Sequence, residues 1–91
     1  MYKKTVTVIN KRGLHARPGS DFVNAAGAFK SKITVRRLDE DEEPVNAKSI
    51  AFVLSLGISK GVAIELAAEG EDEETAVNSL TALINEGFGD L

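Results

Sequence analysis

Val62-Ala63-Ile64-Glu65-Leu66-Ala67-Ala68-Glu69-Gly70 is the stretch whose reading decides the fold. Side chains of an extended chain alternate, so Val62, Ile64, Leu66 and Ala68 share one side, and Ala63, Glu65, Ala67 and Glu69 the other. A strand patterned this way buries one face only. It belongs in a sheet with helices on one side and water on the other. Thr5, Thr7, Thr34, Glu65 and Glu69 are the residues expected on the wet side.

Working outward, Tyr2 to Asn10 is dominated by β-branched residues, with Val6 and Val8 on one face and Thr5 and Thr7 on the other, and reads as the first strand. Ser31 to Leu38 places Ile33 and Val35 on one face and reads as the second. A short third strand is expected over about Pro44 to Lys48. Phe22, Val23, Ala26 and Phe29 fall near a 3.6-residue period, which predicts a helix from Ala16 to about Phe29. Pro18 sits in its first turn, where a missing N–H costs nothing. Ser49 is a natural N-cap for a short apolar helix over Ile50 to about Leu56, ended by Gly57. Glu71 to Glu74 open the last helix, where acids suit the dipole, and Ala76, Val77, Leu80, Leu83 and Ile84 form its stripe. Gly87 and Gly89 stop it. The order β-α-β-β-α-β-α predicts an α+β fold: an open-faced two-layer β-sandwich, a four-stranded antiparallel sheet with three helices on one face. Ninety-one residues make one domain, 1–91.

Composition narrows the function. No cysteine is present, which excludes a disulfide scaffold, a thiolate metal site and a cysteine nucleophile. One histidine excludes a multi-histidine metal site within the chain, so neither metal nor cofactor is expected. Five aromatics and no tryptophan argue against base-stacking platforms. No segment has the form of a signal peptide or a membrane span, and the cytoplasm is the expected location.

Charge is lopsided. Residues 1–37 hold nine basic groups and one acid, Asp21; residues 38–91 hold thirteen acids and two basic groups, Lys48 and Lys60. Kept apart, these halves would form a dipole that steers charged partners; interleaved strands would mix them. The five acids Asp39 to Glu43 read as a solvated, mobile turn. The pI near 5.1 and the scattered aromatics argue against a nucleic-acid module.

His15 is the sole candidate for nucleophilic or acid–base work. It lies in Gly13-Leu14-His15-Ala16-Arg17-Pro18-Gly19, about at the N-cap of the first helix. The bland alternative is a helix-start residue with its ring in solvent. A helix N-terminus offers unpaired N–H groups and a positive dipole end. Arg17, two residues on, can bond phosphate oxygens bidentately. Together these make an anion site around an imidazole nitrogen. Nothing in the sequence supplies a partner base or a metal, so the pattern is that of a group carrier rather than a complete enzyme. Ser49 is a structural cap and also a place where a phosphate would be tolerated. A module that only binds partners according to its phosphorylation state is the competing reading.

Gly13-Leu14-His15-Ala16-Arg17-Pro18 resembles the active-site motif of the HPr family, the histidine-containing phosphocarriers of the bacterial phosphoenolpyruvate-dependent phosphotransferase system. Val45-Asn46-Ala47-Lys48-Ser49-Ile50, with Ser55-Leu56-Gly57-Ile58-Ser59-Lys60-Gly61 after it, resembles the family's second signature. The resemblance runs over the whole chain. It implies that enzyme I phosphorylates Nδ1 of His15 and that the phosphoryl group passes to an enzyme II A-type domain. It implies that Arg17 and the N–H groups of Ala16 and Arg17 hold that group. Ser49 matches the serine modified by an HPr kinase/phosphorylase. The implied partner surface is Ser20, Asn24, Lys48, Ile50, Ala51, Phe52 and Leu54. A monomer with no nucleic-acid and no membrane partner is expected. The acidic turn 39–43 is longer than in typical sugar-system members, and Ala51-Phe52 replaces a more common Met-Gly pair.

Overall fold

The computed structural model describes residues 1–89. Four strands form one antiparallel sheet: β1 (Tyr2–Thr7), β2 (Lys32–Arg37), β3 (Val45–Asn46) and β4 (Ala63–Glu69), in spatial order β1-β4-β2-β3. The helices are α1 (Ala16–Gly27), α2 (Ile50–Ser55) and α3 (Glu73–Asn85), followed by a short 3₁₀ turn over Gly87–Gly89. Thus the stretch that set the expectation, β4, lies inside the sheet, flanked by β1 and β2.

Its apolar face is the core. Val6, Val8, Ile33, Val35, Ile64, Leu66 and Ala68 are buried together with Phe22 and Ala26 of α1, Val53 of α2, and Ala76, Val77, Leu80 and Ile84 of α3. The valine, leucine, isoleucine and phenylalanine side chains among them each contribute about 1.5–3 kcal/mol on burial. α3 packs on β1, β4 and β2, and α1 packs on α2 and α3. Leu83 is only half-buried, at the margin of the stripe.

Element ends differ from the expected ones for local reasons. β1 stops at Thr7, although Val8 still bonds to Val62 (3.0 Å) and Gly61 (2.7 Å), because the chain then turns at Asn10. α1 stops at Gly27; the N–H groups of Ala28 and Phe29 bond back to Ala25 and Ala26 in a tightened last turn. β3 has two residues, since Pro44 brings no N–H to the ladder.

The sheet mixes the charged halves. In the register of β2 with β4, Lys32 stands opposite Glu69 and Arg36 opposite Glu65, the latter pair 3.6 Å apart. Because β4 comes from the acidic half and its neighbours β1 and β2 from the basic half, the two halves interleave within the sheet. The acidic turn is also partly tied down. Arg37 donates from Nε to Asp39 (2.9 Å) and from Nη2 to the same carboxylate (2.7 Å), with Glu40 3.6 Å away. The hydrogen bond from Arg37 holds the Asp39 carboxyl below its ordinary range. Among the described residues, no helix is long and apolar enough to cross a membrane.

Candidate functional site

The segment after β1 is built as a rigid turn. The Asn10 side chain is fully buried and its amide donates to the Gly13 carbonyl at 2.8 Å. Gly13 N–H bonds to Asn10 O (3.2 Å), and His15 N–H to Arg12 O (3.3 Å). Gly13 has φ +61°, and a Cβ there would stand 2.2 Å from the Ile58 carbonyl oxygen, so glycine is required twice over. Leu14 is the plug: 1% exposed, with its N–H on Ile58 O at 3.0 Å.

The turn delivers His15 to the N-cap of α1 in an extended conformation (φ −103°, ψ 159°), as its context predicts. The side chain is exposed and makes no capping hydrogen bond. Ala16 follows in the left-handed region at φ +53°, which costs a non-glycine residue about 1–2 kcal/mol. The N–H groups of Ala16 and Arg17 precede the first intrahelical bond, and Pro18 has none to leave unpaired. Gly19 then lets the helix lie on the loop: a Cβ there would meet Leu14 O at 2.4 Å.

The Arg17 side chain is 87% exposed, its Nε 4.0 Å from Asp21, a contact too long and too wet to immobilise it. Arg12, Arg17, Pro18, Asp21, Phe88 and Gly89 line a depression of about 340 Å³ beside the turn. Another, of about 250 Å³, lies on the open face of the sheet among Lys3, Lys32, Thr34, Arg36 and Glu65. It is across the sheet from the helices, and its charges oppose one another over β2 and β4.

The second signature forms β3 and α2. Ser49 is the N-cap of α2, and its Oγ accepts from Phe52 N–H at 3.4 Å, a long bond. Within α2, Val53 is fully buried, whereas Ile50, Phe52 and Leu54 are 40%, 55% and 41% exposed. Ala51 is exposed as well. The Leu54 side chain reaches the Gly19 position of α1, so the exposed apolar face of α2 adjoins the first turn of the His15 helix. Ser20 and Asn24 are exposed one turn apart on α1, on one face. Lys48 differs from the others: it is half-buried, and its ammonium donates to the Phe29 carbonyl at 2.7 Å, so it ties the turn after β3 to the segment just past α1.

Two arginines escape a reading by motif. Arg37 Nη1 donates to the Leu56 carbonyl (2.9 Å) and to that of Gly57 (3.3 Å), closing the end of α2. Arg12 shares the depression with Arg17. In sequence both are members of a basic half, and only the turn and the helix end give them separate tasks.

Fold and site together define a class: an open-faced α+β sandwich that displays its one histidine at a helix N-terminus, with an arginine two residues on. Residues 2–86 match the PTS-HPr family, described as the PTS HPr component phosphorylation site. The chain belongs to the HPr family, the phosphocarriers of the phosphotransferase system. It is 43% identical over 90 residues to the phosphocarrier protein HPr of Neisseria meningitidis serogroup A, covering 99% of this chain and 98% of that one. It is 42% identical over 86 residues to the multiphosphoryl transfer protein of Haemophilus influenzae; the match covers 94% of this chain and spans 17% of that longer protein. The crystal structure of HPr-C-His from Thermoanaerobacter tengcongensis superposes with a TM-score of 0.93 at 46% identity, covering 100% of this chain and 99% of that one.

Proposed function

We propose that the protein carries a phosphoryl group on Nδ1 of His15, taken from phospho-enzyme I and given to an enzyme II A-type domain. The observation that carries this reading is the exposed His15 ring at the N-cap of α1, free of any capping bond. An N-cap side chain that does not close its own helix leaves the N–H groups of Ala16 and Arg17 for an incoming anion.

The step balances without a cofactor. With its proton on Nε2, the neutral ring presents the Nδ1 lone pair. The Nδ1–P bond forms as the donor's N–P bond breaks, and that bonding pair stays on the donor nitrogen. Onward transfer reverses the roles. Arg17 and the two N–H groups share the phosphoryl charge, which makes the protein a carrier and not a complete enzyme.

The partner surface on this reading is Ser20 and Asn24 of α1 with Ile50, Ala51, Phe52 and Leu54 of α2, and Lys48 supports it from the turn between β3 and α2. Residues 1–91 act as one domain, as a cytoplasmic monomer. Phosphorylation of Ser49 by an HPr kinase/phosphorylase regulates transfer by placing negative charge beside that docking face.

The test is incubation with phosphoenolpyruvate, magnesium and catalytic enzyme I, read by intact mass and phosphorus NMR. One acid-labile phosphate is expected on the wild type and none on H15A, with the H15A fold intact. An unphosphorylated wild type in the presence of its cognate enzyme I overturns the reading.

A further inference from the structure

We propose that Arg12 is a second phosphoryl-binding guanidinium, so that the phosphoryl group on His15 is held between two arginines. This rests on the carrier reading for its biological meaning, though its geometry stands by itself.

Arg12 and His15 are the two ends of one hydrogen-bonded turn, His15 N–H to Arg12 O at 3.3 Å. A turn of this kind keeps its end residues within about 7 Å at Cα. This one is stiff, because Gly13 is wedged against Ile58 and its carbonyl is held by the buried Asn10 amide. Arg12 and Arg17 therefore flank His15 from opposite chain directions. Both also line one depression of about 340 Å³, with Pro18, Asp21, Phe88 and Gly89, beside the turn; His15 itself is not in that lining. Asp21 is the one acid in that lining, and its carboxylate stands 4.0 Å from Arg17. A phosphoryl group adds about −1.5 to −2 charge and three acceptor oxygens to the ring, more than one guanidinium satisfies. Arg12, at the other end of the turn that carries His15, takes an oxygen that Arg17 leaves.

Two measurements decide it. Wild type, R12Q, R12K and R17Q are phosphorylated by enzyme I and, separately, by phosphoramidate, which needs no partner protein. In the chemical reaction the Nδ1–P bond forms as the P–N bond of phosphoramidate breaks and ammonia leaves. R12Q is expected to be about threefold to tenfold slower than wild type in both reactions, with R12K recovering part of the loss and thermal midpoints unchanged. Slowing confined to the enzyme I reaction would make Arg12 a docking residue and overturn the proposal, as would R12Q equal to wild type in both. Wild type that reacts with phosphoramidate but not with enzyme I sinks the carrier reading, while the R12Q comparison still decides Arg12. The second measurement is the Nε–H resonance of Arg12 in ¹⁵N-labelled wild type. It is expected to move downfield on phosphorylation together with that of Arg17; a stationary Arg12 signal overturns the contact.

Discussion

Asp72 closes the far end of the molecule by bonding across 41 residues to Ser31. Its carboxylate accepts the N–H of Lys30 and of Ser31, each at 2.9 Å, and the Ser31 hydroxyl. Asp72 is the N-cap of α3, yet its side chain caps nothing there; it leaves its own helix to pin the loop between α1 and β2. The Ser31 hydroxyl, then the Lys30 N–H, hold the Asp72 carboxyl down at about 2, against an ordinary 3.8.

A lowered carboxyl stabilises the fold in its ionised form, so its contribution is fully present above the ordinary range and is lost as pH falls through about 2. Urea unfolding of wild type should therefore weaken between about pH 4 and pH 2. D72N should be less stable at pH 7 and should show a flatter dependence over that interval. Parallel curves for the two proteins would mean that the contact is not the acid-sensitive one.

Gly13→Ala tests the turn that holds His15. The substitution forces a Cβ to 2.2 Å from the Ile58 carbonyl at φ +61°. A loss of about 2 kcal/mol or more is expected in chemical denaturation, with slower acceptance because His15 shifts with the turn. A variant as stable as wild type would show that the turn and the Ile58 segment between α2 and β4 are not in tight contact.

Ala16→Gly tests the strain beside the site. Glycine takes φ +53° without the Cβ clash, so the variant should gain about 1 kcal/mol, or about 4–8 °C in thermal midpoint for a domain of this size. A lower midpoint would place Ala16 in an ordinary helical conformation in solution.

Ser49→Asp separates cap from regulation. The existing cap is long, 3.4 Å to Phe52 N–H, and aspartate is as good an N-cap as serine. Stability should be held or slightly raised, while acceptance from phospho-enzyme I falls severalfold. An unchanged rate would remove the support for a regulatory role at Ser49.

The alternation in β4 and the 3.6-residue stripes of α1 and α3 made the layering legible, because burial on one face is written locally, residue by residue. His15 at a helix start was legible for the same reason: Pro18 and the apolar spacing mark where α1 begins. Asp72 was legible only as an acid near a helix N-terminus. Its real partner lies 41 residues away, beyond the reach of any local pattern. The resemblance puts Lys48 on the partner surface, whereas the turn after β3 carries its ammonium onto the Phe29 carbonyl.

By itself, then, the sequence determined which faces turn inward, that one histidine begins the first helix, and that the chain belongs among the phosphocarriers. Tertiary structure alone decided that β4 runs between β1 and β2, which mixes basic and acidic halves. It also decided that Arg37 closes α2, and that Arg12 and Arg17 share a depression walled by Phe88. Local patterns record a residue's own burial. Contacts between distant residues arise only when the sheet register and helix packing bring them within hydrogen-bond reach, and no periodicity encodes that distance.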